Sequence, residues 1–193
     1  MIHNLAADVR GLTSNAYFVE GSTPALVDTG TGFDIIEAIE DRTRSAPEHV
    51  VLTHTHPDHT GNVDALIAEY DVPVYGHTTE VQAVTESLAD GESIALGDHR
   101  YTVWFTPGHA PDHLCLYSET AHTLFSGDLI FPNGGVGRTD LPGCDHDRLV
   151  ESIRRVRAET DTSLKQLYAG HGPAVESDAF RHIEAAARFV GIE

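Results

Sequence analysis

Apolar residues along this chain repeat with two periods, and stretches of the two alternate. Short runs rich in β-branched and aromatic residues, bounded by turn formers, predict strands at "NAYFVE" (15–20), "PALVD" (24–28), "HVVLT" (49–53), "VPVYG" (72–76), "YTVWFT" (101–106), "HLCLYS" (113–118), "HTLFSG" (122–127) and "QLYAG" (166–170). Between them, apolar residues recur at the spacing of one helical face. Ile35, Ile36 and Ile39 form one such face, Val63, Leu66, Ile67 and Tyr70 a second, and Val81, Val84 and Leu88 a third. Leu149, Ile153 and Val156 form another, as do Phe180, Ile183 and Ala187. Thr79 followed by Gln82 fits a capping box opening the third helix. Each helix is apolar on one side only, so each is expected to cover one face of a sheet in a layered α/β (α+β) sandwich. No repeat and no Pro/Gly/Ser-rich linker interrupts the pattern, and residues 1–193 read as a single domain.

Charge narrows the partners. Twelve basic residues stand against 30 acidic ones, a net charge of −18, and Lys165 is the only lysine. A chain of this sign repels nucleic acid and anionic lipid, so neither is expected as a partner. It is also the balance expected of a halophilic protein, whose self-repulsion is screened by concentrated salt. No apolar run is long enough to span a bilayer, and "MIHNLAADVRGLTSN" lacks the basic start and apolar stretch of a signal peptide. With only Cys115 and Cys144, no disulfide framework is expected, and the cytoplasm is the expected compartment.

One segment does not fit a purely structural reading. "VLTHTHPDHTGN" (51–62) places His54, His56, Asp58 and His59 within six positions, directly after a strand that reads as buried. Pro57 forbids continuation of that strand and holds His56 extended. Gly61 permits a tight turn, and Asn62 is placed to cap the helix starting at Val63. Imidazoles with a carboxylate are a donor set for a first-row divalent metal. His54 and His56, two apart on extended chain, address one point; Asp58 and His59, beyond the bend, address another. Further donors follow other strands, each beside a glycine: His109 in "FTPGHAPDH", Asp128 in "LFSGDLIF" and His171 in "LYAGHGP". Together with the 51–62 segment they make a seven-ligand set. His113 reads as a supporting histidine, and His3, His49, His77, His99, His122, His146 and His182 as surface or packing residues.

"HTHPDH", followed in order by "PGH", "SGD" and "GHG", resembles the metallo-β-lactamase superfamily, over nearly the whole chain from "ALVDTG" (25–30) to "AGHGP" (170–174). The resemblance implies a four-layer αββα sandwich with a metal site at one edge. It implies one metal on His54, His56 and His109, a second on Asp58, His59 and His171, and Asp128 bridging the two. Asp28 matches a strand-end aspartate that supports the ligand loop. The "GRTD" segment containing Arg138 and Asp140 resembles the glyoxalase-II-like branch. The implied activity is that of a hydroxyacylglutathione-hydrolase-like enzyme: two Zn2+ and a metal-bridging hydroxide hydrolyse a small acyl thioester or related ester, with Asp58 orienting the hydroxide. The glutathione-binding C-terminal region of glyoxalase II has no counterpart in this sequence, so the expectation does not extend to glutathione. The alternative is a mononuclear Fe2+ persulfide (sulfur) dioxygenase, because that branch shares "GRTD".

Overall fold

A computed structural model describes residues 1–193. The first half of the chain supplies β1 (Ile2–Asn4), β2 (Tyr17–Val19), β3 (Ala25–Val27), α1 (Ile35–Arg42), β4 (His49–Val51), the single turn α2 (Pro57–Thr60), α3 (Val63–Tyr70), β5 (Val74–Gly76) and β6 (Glu86–Ser87). The second half supplies β7 (Ser93–Leu96), β8 (His99–Phe105), β9 (Leu114–Ser118), β10 (Thr123–Gly127), α4 (His146–Glu159), β11 (Gln166–Ala169) and α5 (Phe180–Phe189). The strands form two sheets, ordered β1-β2-β3-β4-β5-β6 and β11-β10-β9-β8-β7.

The alternation of side chains along each strand decides what every face meets. In the first sheet Tyr17, Val19, Ala25, Val27 and Val51 point inward. There they meet Tyr101, Val103, Leu114, Leu116 and Phe125 of the second sheet, in a core between the sheets. Their neighbours Phe18, Leu26, Val50 and Val74 point outward, onto Ile35 and Ile39 of α1 and Val63 and Leu66 of α3. On the far side Trp104, Cys115 and Leu124 meet Leu149, Ile153 and Val156 of α4 and Ile183 and Ala186 of α5. The result is the expected four-layer αββα sandwich. Cys115 is fully buried, and burial pushes its thiol up to about 12, which keeps it an inert packing group.

The third helix does not form. Residues 77–85 are turns and irregular chain leading into β6, which pairs with β5 in parallel. Val81, Val84 and Leu88 have helical spacing, but their destinations differ. Val84 packs under α3 in the outer layer, whereas Leu88 enters the core between the sheets. No single helical face can bury residues in two layers. The intended capping box is replaced by a local turn in which Glu80 N–H donates to Thr78 Oγ1 (3.2 Å). Asn62 likewise does not cap α3 with its side chain; its amide donates to the Thr29 carbonyl (2.9 Å) and ties the ligand loop to the end of β3.

Candidate metal centre

Strand direction brings the candidate ligands to one edge. β3 and β4 run parallel, as do β10 and β11, and β8 shares the direction of β10 because both are antiparallel to β9. Asp28, His54, His109, Asp128 and His171 therefore all follow the C-terminal ends of strands, where open α/β sheets place their ligand crevices. At that edge Leu114 N–H donates to the Thr53 carbonyl (2.6 Å), joining the two sheets.

All seven predicted ligands converge. The donor atoms of His54, His56 and His109, of His54, His59 and Asp128, and of Asp58, His59 and His171 each fall within 4.8 Å of one another. His54 Nε2 and His109 Nε2 both lie 3.1 Å from His56 Nδ1. His171 Nε2 lies 3.2 Å from Asp58 Oδ2 and 3.4 Å from Asp128 Oδ2. Glycine permits this density: a Cβ on Gly170 would collide with Asp128 Oδ1 and come within 2.7 Å of His59 Cε1.

Hydrogen bonding fixes which imidazole nitrogens face the cluster. His109 Nδ1 lies 2.9 Å from the Arg138 carbonyl, an acceptor only, so Nδ1 carries the proton and Nε2 presents a lone pair. His59 Nδ1 donates to Asp28 Oδ2 (2.9 Å), which leaves Nε2 as the nitrogen that faces the cluster. Thr53 spends its hydroxyl proton on Asp28 Oδ2 (2.8 Å), so its lone pair accepts from His54 Nδ1 (3.2 Å), again leaving Nε2 free. His54 and His109 thus aim lone pairs at the cluster, and His59 aims Nε2 there. His59 Nε2 and Asp128 Oδ1 are buried with no hydrogen-bond partner; the 3.5 Å between them is longer than a hydrogen bond. Buried orphans of this kind need an explanation, and a cation between them supplies it.

His113 is not part of that set. Its Nε2 accepts from Asp128 N–H (3.0 Å) and its Nδ1 donates to Thr106 Oγ1 (2.9 Å), so both nitrogens are used. Burial pushes it down to about 3, which keeps it neutral. It anchors the backbone of Asp128, as a supporting histidine should. Arg138 and Asp140 form a two-pronged pair, 2.7 Å on each prong, exposed beside the centre. Sequence reasoning missed Asp112 and Thr55. Thr55 Oγ1 donates to Asp112 Oδ2 (2.6 Å), locking the residue between His54 and His56 to the loop of His109. The available signal was a threonine alternating with two histidines.

A family model for the metallo-beta-lactamase superfamily matches residues 9–171. The chain belongs to this superfamily. Its relatives include a probable metallo-hydrolase, YqgX, of Bacillus subtilis, 30% identical with 86% of this chain and 88% of that protein covered. The hydroxyacylglutathione hydrolase of Klebsiella pneumoniae is 38% identical over 72% of this chain, but over only 54% of its own length. Among solved structures, TTHA1623 in a di-iron-bound form is 30% identical, covers 97% of both chains and superposes with a TM-score of 0.76. The BLEG-1 B3 metallo-beta-lactamase is 26% identical, covers 99% of this chain and 100% of its own, and gives 0.78.

Five of the candidate ligands, His56, Asp58, His109, Asp128 and His171, line a cleft of about 470 Å³. Beyond the candidate ligands, the cleft is lined by Leu12, Pro57, Phe131, Val136, Leu141 and Arg138. No helix of the chain is long and apolar enough to cross a membrane.

Protonation at the centre predicts how metal uptake responds to pH. Burial opposes a charge on His59, but Asp28 and Asp128 overcome it and raise His59 to about 10. Hydrogen bonds to Asp128 and Asp58 raise His171 to about 9. His54 and His56 are lowered, chiefly by burial, and are neutral at pH 7. Without metal, His59 and His171 therefore carry protons that a cation must displace. Zinc binding at pH 7 is expected to release about two protons per chain from these histidines, plus about one from ionisation of metal-bound water, measured by calorimetry in buffers of different ionisation enthalpy. Affinity should rise with pH, and the release should fade as pH passes through the range where these two histidines deprotonate unaided. Binding that releases no protons at pH 7 would show that His59 and His171 are already neutral before the metal arrives.

Proposed function

We propose that this chain is a metal-dependent hydrolase of small acyl thioesters. His54, His56 and His109 would hold one zinc ion, Asp58, His59 and His171 would hold a second, and Asp128 would serve both. The observation that carries the reading is the convergence of seven imidazole and carboxylate donors, two with buried atoms that lack any hydrogen-bond partner, beside a cleft with apolar walls. Bound there, two zinc ions supply a hydroxide nucleophile near neutral pH and a Lewis acid for the acyl carbonyl.

The chain's own groups set the rest of the chemistry. Hydrogen bonding to His171 holds the Asp58 carboxyl below its ordinary range, so it faces the cleft ionised and orients the attacking water. Leu12, Phe131, Val136 and Leu141 take the acyl portion and exclude bulk water. Apart from the candidate ligands, the only cleft residue bearing an ionisable proton is Arg138, which is tied to Asp140. The leaving group must therefore depart without a proton donor. A thiol, with a pKa of about 8.5, leaves readily as its anion, whereas an amine does not. Similarity to hydroxyacylglutathione hydrolases supports a thioester as substrate.

Metal analysis of protein purified without added metal, followed by a substrate panel, tests this. The panel is hydroxyacylglutathione, acyl thioesters of other thiols, a lactone, a β-lactam, and a thiol persulfide with oxygen uptake recorded. Two zinc ions per chain and thioester turnover are expected. His171→Ala should lose mainly the second ion and His54→Ala mainly the first. One iron per chain with persulfide-dependent oxygen uptake, and no thioester turnover, would replace the hydrolase with a sulfur dioxygenase.

A further inference from the structure

His182 belongs to α5, on the outermost layer, yet it reaches the turn that carries Phe131 of the cleft wall. It is 5% exposed, and its Nδ1 accepts a 2.6 Å hydrogen bond from the backbone N–H of Asn133. Arg181 Nε–H also points at Nε2 (3.3 Å), but a neutral imidazole accepts at one nitrogen only, and the shorter bond from Asn133 takes that role, with Nε2 bearing the proton. Asn133 sits in a tight turn spanning 131–135, closed by Phe131 N–H donating to the Gly135 carbonyl (2.7 Å). Asn133 and Gly134 are consecutively left-handed, with φ of 65° and 82°. Asparagine adopts this conformation readily, so the shape of the turn is local, and its placement depends on support from outside it.

Support comes from α5 on two sides. His182 holds the Asn133 amide, and Gly134 lies so close to the helix that an added Cβ would come within 2.6 Å of Ala185 Cβ. What the turn carries faces the other way. Phe131 lines the cleft, with its ring centroid 6.1 Å from that of His171, and Pro132 lies against Gly172, where an added Cβ would be 3.8 Å from its ring. Phe131 is the aromatic member of the apolar wall.

We infer that His182 is a positioning residue for the substrate cleft: through Asn133 it fixes the 131–135 turn, and thereby sets the placement of Phe131 that selects apolar acyl groups. The acyl selectivity rests on the hydrolase reading above; the positioning itself does not. The Asn133 N–H faces solvent if released, so losing its acceptor costs the fold little and moves mainly the wall.

The test uses zinc-loaded full-length protein and two variants. His182→Leu keeps the bulk and removes the acceptor; His182→Asn places a carbonyl oxygen near the position of Nδ1. In His182→Leu, amide exchange at Asn133 should accelerate and KM for long-chain apolar thioesters should rise about three- to tenfold, the scale of one hydrogen bond. Metal content and kcat should stay within about twofold, and a short acyl thioester should be affected less. His182→Asn should restore both readouts. In a Phe131→Ala background, His182→Leu should add nothing further to KM. Unchanged Asn133 exchange in His182→Leu overturns the inference, as does a loss of kcat and metal with KM unmoved. If the wild type hydrolyses no thioester, the hydrolase reading fails and Asn133 exchange alone decides the positioning role.

Discussion

Asp128→Asn is expected to reduce bound metal from two ions per chain to about one and to cut hydrolysis by at least about 100-fold, the scale of removing a key electrostatic element from an active site. Asp128 lies between the two halves of the ligand set: its Oδ2 is 3.4 Å from both His109 Nε2 and His171 Nε2, and its Oδ1 is the buried orphan facing His59 Nε2. Burial alone would raise its carboxyl, but His171 and His59 overcome this and hold it far below the ordinary carboxylate range, so it is charged at any working pH. That negative charge offsets the repulsion between two neighbouring dications. Asparagine keeps the shape and turns one prong into a donor. The backbone bond from residue 128 to His113 does not involve the side chain, so the fold should survive. Asp140→Asn is the control, because its exposed pair with Arg138 contributes little to stability and lies outside the ligand set. Two metals and full activity in Asp128→Asn would remove the bridging role and, with it, the core of the proposed chemistry.

What the sequence could and could not reveal follows from how local each feature is. Clustered donors at 54–59 and single donors after strands are local patterns, and all seven residues meet in space. The helices at 35–42, 63–70, 146–159 and 180–189 were legible because each apolar stripe faces one layer. The stripe at 81–88 misled for the converse reason, since Val84 and Leu88 go to different layers. β1, β6 and β7 were missed: each has four residues or fewer and lies toward an edge of a sheet, where polar residues such as Asn4, Glu86 and Ser93 break the apolar run. The supporting contacts are nonlocal. Thr55 with Asp112 and Asn133 with His182 are separated by 57 and 49 residues, and no spacing rule reports them.

Asp28→Asn is expected to weaken zinc binding about 10- to 100-fold, the usual cost of losing a partner behind a metal ligand, although it alters no proposed ligand. Asp28 is buried at the end of β3 with φ of 56°, a left-handed conformation that asparagine also adopts readily, so the substitution should not strain the backbone. Its Oδ1 accepts from Thr53 N–H (2.8 Å), and its Oδ2 accepts from Thr53 Oγ1 (2.8 Å) and His59 Nδ1 (2.9 Å). An amide has one oxygen. If that oxygen stays on Thr53 N–H, the new NH2 faces His59 Nδ1–H, donor against donor. His59 relieves the clash by moving its proton to Nε2, and its lone pair no longer faces the metal. The Thr53 hydroxyl turns to accept from the amide and then donates to His54 Nδ1, which switches that ring as well. One substitution behind the centre thus disarms a ligand in each proposed half. Nitrogen-15 NMR of the histidine rings reads the tautomers directly, and competition with a chelator reads the affinity. Unchanged zinc affinity with His59 still protonated at Nδ1 would show that Asp28 does not set the ligand tautomers.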